Sequence, residues 1–140
     1  MTLRDQLKRD EGLRLKPYKD TVGKLTVGYG RNLDDVGIRE SEADFMLAND
    51  IQKVEREVTQ RLPWTVGLDE ARRAAILNLA FNMGLGNDKR GLLSFKNTLA
   101  AMQRRDWPAV GAGLRASKWY GQVGDRGERV TRQLETGDWV

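Results

Sequence analysis

Between Glu11 and Gly30 the chain reads EGLRLKPYKDTVGKLTVGYG, which sets Glu11, Asp20 and Thr26 along one short segment punctuated by Gly12, Gly23, Gly28 and Gly30. Two carboxyl groups and a hydroxyl can protonate a leaving oxygen on one side of a scissile bond and activate a water on the other. Glycoside hydrolysis requires that division of labour. Composition removes much of the competition. The chain has no cysteine and no histidine, so it has no disulfide, thiolate nucleophile or cysteine-bound zinc, and it lacks the commonest general base and metal ligand. Acid–base work near neutral pH falls to Asp and Glu, and neither a metal nor a cofactor is expected. Taken singly, each residue also has a structural explanation: Asp20 as an Asx-turn residue, Thr26 as a strand former, Glu11 as a solvated helix end.

The elements that must position these groups are legible from periodicity and punctuation. Thr2 followed by Asp5 reads as a helix start, and Leu3 with Leu7 gives an apolar edge to a short helix that stops at Gly12 and puts Glu11 at its C-terminus. From Leu13 to Leu33 the pattern turns to Pro, Gly, Thr, Val and Tyr, with DTVG as a turn and KLTVGY as a strand. Ala43, Leu47, Ile51, Val54, Val58 and Leu62 then recur at three- and four-residue steps, predicting one long helix over 39–62 that Pro63 ends. Asp69 is placed to cap the next helix, whose apolar run reaches Gly84 and predicts the centre of the core. Further helices fit Phe95–Gln103, Pro108–Ala116 and Arg126–Glu135. With strands confined to one early block, the class is α+β and predominantly α-helical. The 140 residues read as a single domain. Residues 13–50 form a small β-containing lobe, 1–12 and 63–140 a larger helical lobe, and 39–62 the connecting helix, with a cleft between the lobes.

Twenty-four Lys and Arg against twenty Asp and Glu leave a net charge of +4, which favours anionic partners. Acids dominate from Asp34 to Glu57 and bases from Lys89 onward, either as solvated helix faces or as a polyanion-binding surface. The start, MTLRDQLKRDEG, shows no export signal, and no stretch reaches the roughly 20 apolar residues of a membrane span.

The Glu11–Gly30 segment resembles the signature E-G-x-x-L-x-x-Y-x-D-x-x-G-x-x-T-x-G-Y-G of the phage-type lysozymes, glycoside hydrolase family 24. RRAAILNLAFNMG, SFKNTL, ASKWY, and RGERV followed by TGDW are similar to that family's helical lobe in the same order, so the resemblance spans nearly the whole chain. It implies a lysozyme-like fold and hydrolysis of the β-1,4 bond between N-acetylmuramic acid and N-acetylglucosamine in peptidoglycan, with inversion. Glu11 is implied as the general acid, Asp20 as the second carboxylate and Thr26 as the hydroxyl that holds water. Gly30, Asn32, Phe81 and Thr98 fall where the family contacts sugar, although Phe81 reads first as core. Arg126 matches an arginine near the catalytic glutamate and is expected to orient it. The resemblance also implies an endolysin acting in host lysis. Such a protein would be a monomer made in the host cytoplasm, with peptidoglycan strands and not nucleic acid as its partner, and would reach the periplasmic side of the wall through a separate membrane-permeabilising protein.

The sequence departs from the family at two places. Gly113 replaces a polar sugar contact, which is expected to be missing, and Arg31 replaces a histidine, so any pair it makes is insensitive to mild pH change, with Asp50 as the partner suggested by alignment. Trp107, Trp119 and Tyr120 read as core. Three alternatives remain on the residues: a lytic transglycosylase, against which Asp20 and Thr26 argue; a non-enzymatic basic module for wall or nucleic acid; and a helix-turn-helix DNA binder resting on charge and helix content.

Overall fold

The computed structural model describes residues 1–140, which form two compact units, Met1–Leu47 and Ala48–Val140. In the first unit, Thr2 and Asp5 close a reciprocal capping box at the start of α1 (Leu3–Glu11): the Thr2 hydroxyl accepts from the Asp5 N–H, and the Asp5 carboxylate accepts from the Thr2 N–H. Gly12, at φ 72°, ends the helix and fixes Glu11 as its last residue. The unit thus includes α1.

Three strands follow, β1 (Arg14–Lys19), β2 (Leu25–Gly28) and β3 (Arg31–Asn32), in an antiparallel sheet of order β1-β2-β3. The β1–β2 register is irregular between Arg14 and Tyr18, the interval holding Pro17, which has no N–H to give a ladder. Thr26 lies on the central strand between Tyr18 and Asn32 and is the one residue of the first unit that is buried outright.

The long helix α2 (Glu40–Arg61) begins in the first unit and ends in the second, stopped by Pro63 as the sequence predicts. A 3₁₀ turn (Pro63–Gly67) leads to α3 (Glu70–Met83), whose first turn is capped by the Asp69 carboxylate accepting from the Arg72 N–H and whose end is set by Gly84. A second 3₁₀ turn (Leu92–Ser94) precedes α4 (Lys96–Gln103) and α5 (Trp107–Arg115), the latter capped by Asp106 with Pro108 in its first turn. Then come α6 (Lys118–Gln122), capped by Ser117, and α7 (Asp125–Thr136), closed by left-handed Gly137. The sequence reading lacks α6 and both 3₁₀ turns, which are too short to show a period.

The core of the second unit is one cluster that includes Val58, Ile76, Leu79, Leu92, Met102, Val110, Leu114 and Leu134, all fully buried. Ala71, Ala75 and Ala80 leave α3 room to lie close to its neighbours. Arg72 fastens α3 to α7: its Nε and Nη2 donate to the Leu134 and Glu135 carbonyls at the α7 C-terminus, where a cation is favourable, while its guanidinium covers the Trp107 ring at 4.3 Å. Arg115 fastens α5 to α7 by donating to both Glu128 and Glu135, which lowers both acids' pKa values. Gly111 leaves the space that the Glu135 carboxylate fills. No helix is long and apolar enough to cross a membrane.

Candidate active site

Glu11 ends α1 with an exposed side chain, and the chain returns beneath it in the β2–β3 turn. A Cβ built on Gly30 would lie 2.6 Å from Glu11 Oε2, so the carboxylate rests directly over the Gly30 backbone, which itself holds φ 76°. Both features select glycine. The group that comes close to Gly30 is the Glu11 carboxylate.

Asp20 begins the β1–β2 turn. Its Oδ1 accepts from the Val22 and Lys24 N–H groups at 3.0 and 2.8 Å, and its own N–H donates to the Lys24 carbonyl. This is the Asx-turn reading, but it occupies only Oδ1 and leaves Oδ2 free for other chemistry. Thr26 Oγ1 donates to the same Lys24 carbonyl at 2.9 Å. With its proton committed there, the Thr26 oxygen keeps its lone pairs as acceptors. The Lys24 main chain therefore ties Asp20 to Thr26, a role that no side-chain pattern reveals. Asn32, opposite Thr26 on β3, is engaged at both ends by Asp35, to which it donates through Nδ2 and from whose N–H it accepts.

Arg31 donates bidentately to Glu42 at 2.7 and 2.8 Å and also to the Gly37 carbonyl. The Asp50 pairing suggested by alignment is thus corrected: Glu42, in the first turn of α2, is the partner. The Arg31 hydrogen bonds, with help from the Arg39 N–H, hold the Glu42 carboxyl down at about 2.

In the second unit Phe81 is 44% exposed near the end of α3, which overturns its reading as core; the buried face of that helix runs through Ala71, Ala75, Ile76, Leu79 and Ala80. Thr98 is buried on α4, and its hydroxyl faces Gly113 so closely that a Cβ there would overlap it. Arg126 donates from Nε and Nη2 to Asn78 Oδ1 at 3.1 and 2.8 Å. Trp119 is buried with its indole N–H donated to Asn82, and Trp107 and Tyr120 pack half-buried against the same core, as expected from the sequence. No three His, Cys, Asp or Glu side chains are grouped so as to hold a metal ion.

Comparison with known proteins identifies the family. The sequence model of the phage lysozyme family matches residues 8–135. The chain belongs to the phage lysozyme family. It is accordingly a glycoside hydrolase, as the Glu11–Gly30 segment implies. The chain is 30% identical to "Probable T4-type lysozyme 2" of Dictyostelium discoideum over 97% of its length and 95% of that protein's. It is 32% identical to the "SAR-endolysin" of Bacteriophage PS119, over 79% of this chain and 68% of the relative. It is also 30% identical, over 99% of its length, to the "Pre-baseplate central spike protein Gp5" of Enterobacteria phage T4, of which it spans only 28%.

Proposed function

We propose that the protein is a peptidoglycan-hydrolysing lysozyme that cleaves the β-1,4 bond between N-acetylmuramic acid and N-acetylglucosamine with inversion, and that Glu11, Asp20 and Thr26 are its catalytic residues. The observation that best supports this reading is the Asp20–Lys24–Thr26 arrangement, in which one carboxylate oxygen and one hydroxyl oxygen are left as acceptors by a turn that fixes both groups. Glu11 gives its proton to the glycosidic oxygen as the C1–O bond breaks. A water accepted by Asp20 Oδ2 and Thr26 Oγ1 forms the new bond to C1 from the opposite face, and its proton passes to Asp20. Gly30 keeps the Glu11 carboxylate in place, and Asn32, Phe81 and Thr98 are assigned to sugar contacts.

An inverting site needs room for that water, with carboxyls farther apart than the roughly 5 Å of a retaining pair. The test is product analysis by NMR during digestion of purified peptidoglycan, beside Glu11→Gln and Asp20→Asn. The expected product is the α-anomer with a free reducing end, and each variant loses about 10²–10⁴ in rate. A β-anomer would overturn inversion, a 1,6-anhydro end would point to a transglycosylase, and full activity in both variants would remove the catalytic assignment.

The same proposal includes a role in host lysis with wall access supplied by a separate membrane-permeabilising protein, supported by the likeness to an endolysin. Gram-negative cells expressing the chain are expected to lyse only after chloroform treatment. Lysis without it would refute the need for a second protein.

A further inference from the structure

A shallow cavity of about 400 Å³ lies beside the Glu11 carboxylate, lined by Arg4, Leu7, Lys8, Glu11 and Tyr29. Positions 4, 7, 8 and 11 fall on one face of α1 at helical spacing, and the β2–β3 turn that carries Gly30 under Glu11 brings Tyr29 alongside. Leu7 and Tyr29 are 47% and 43% exposed and give the cavity its apolar surface. Lys8 Nζ stands 5.5 Å from the centre of the Tyr29 ring, a contact that positions the ammonium without neutralising it. The ion pairs of this unit engage Arg9, Lys24, Arg31 and Arg39. Arg4 and Lys8, the two cations that line the cavity, are not among them, so two cations and an aromatic ring flank Glu11, the proposed general acid.

We infer that Arg4, Lys8 and Tyr29 form a subsite for a carboxylate carried by the glycan next to the bond that Glu11 protonates, and that they make the enzyme select an acidic glycan over a neutral one. This rests on the muramidase reading. Two cations attract and orient an anion, and the Tyr29 ring and Leu7 cover the apolar part of the arm that bears it. In peptidoglycan the N-acetylmuramic acid residue supplies such an arm, a lactyl ether ending in a free carboxylate or in a peptide that brings carboxylates of its own. A polymer of N-acetylglucosamine has neither.

The experiment measures binding by calorimetry in a Glu11→Gln background, which holds ligand without turnover, with and without Arg4→Gln and Lys8→Gln together. The ligands are a muropeptide tetrasaccharide with its peptides, the same glycan stripped of peptides by an amidase, and a neutral chitotetraose. The expected result is an affinity for the acidic ligands reduced about tenfold, an unchanged affinity for chitotetraose, and a weaker salt dependence. A loss shared by intact and stripped glycans identifies the lactyl carboxylate; a loss confined to the intact glycan identifies the peptide carboxylates. Equal losses on all three ligands, or none on any, overturn the subsite. Release of reducing ends by the unmutated enzyme is scored separately. If that release fails while charge-dependent binding persists, the muramidase reading falls and the subsite stands.

Discussion

Gly30 concentrates two demands on one residue. Its φ of 76° is left-handed, and a methyl group there would meet Glu11 Oε2 at 2.6 Å. Gly30→Ala is therefore expected to cost about 1–2 kcal/mol of stability from backbone strain and, by moving the carboxylate, about 10² in kcat. Urea denaturation and turnover of a soluble muropeptide measure the two separately; an unchanged kcat would show that Glu11 is not held by this contact. Asp20 poses the opposite problem, since the turn and the proposed chemistry use different oxygens of one carboxylate. Asp20→Asn keeps an acceptor for the Val22 and Lys24 N–H groups, so Tm is expected to hold while activity falls about 10²–10⁴. Asp20→Ala removes the acceptor as well, and both quantities are expected to drop. If Asn lowered Tm as far as Ala does, the free oxygen would be part of the fold rather than of the reaction.

Among the elements, the Arg31–Glu42 pair joins β3 to the first turn of α2 and spans the loop from Leu33 to Arg39, whose Gly37 carbonyl Arg31 also holds. Glu42 titrates at about 2 in the folded chain against its usual 4.5. Its folded pKa is depressed, so the pair's stabilisation is complete above about pH 4.5 and is lost as pH falls toward 2. The Tm gap between the unmutated protein and Glu42→Gln is expected to be constant from pH 8 to 5 and to close by about pH 2. A gap that stayed open there would deny the pair this role. Arg31→His moves the sensitivity to neutrality: a histidine gaining a carboxylate has its pKa raised, so its contribution is present below about pH 6.5 and is lost as pH rises. The long elements were legible because their ends carry chemical signals: Thr2 with Asp5, Pro63, Asp69, Pro108 and the glycines at 12 and 84 all terminate or cap where they should. The five residues of α6 were not, having a cap but no room for a period. Within the site the residue types stood out in sequence, but their partners did not. α2 offers Glu40, Glu42, Asp44 and Asp50 to any basic residue, and only the path of the loop through Gly37 picks Glu42. The Lys24 carbonyl, common to Asp20 and Thr26, leaves no trace in side-chain chemistry.

Across the whole molecule, burial is unequal between the two units. In residues 1–47 Thr26 alone is buried outright, whereas residues 48–140 enclose a cluster running from Val58 to Leu134. The hydrophobic term scales with apolar area removed from water, so local opening of the sheet and α1 costs less free energy than opening α3, α5 or α7. Hydrogen exchange followed by mass spectrometry is expected to show the slowest amides in those three helices and markedly faster exchange from Leu3 to Asn32. Two substitutions turn this into a test of independence. Leu79→Ala removes a fully buried side chain and is expected to cost about 2–5 kcal/mol of global stability, speeding the slowest amides of α3, α5 and α7. The exchange of β1, β2 and β3, already set by local opening, is expected to stay as it was. Arg31→Gln is expected to do the reverse, speeding exchange near β3 and the start of α2 while the α7 amides keep their protection. Were Leu79→Ala to accelerate the strands as much as the helices, the first unit would open only with the second and would have no separate stability.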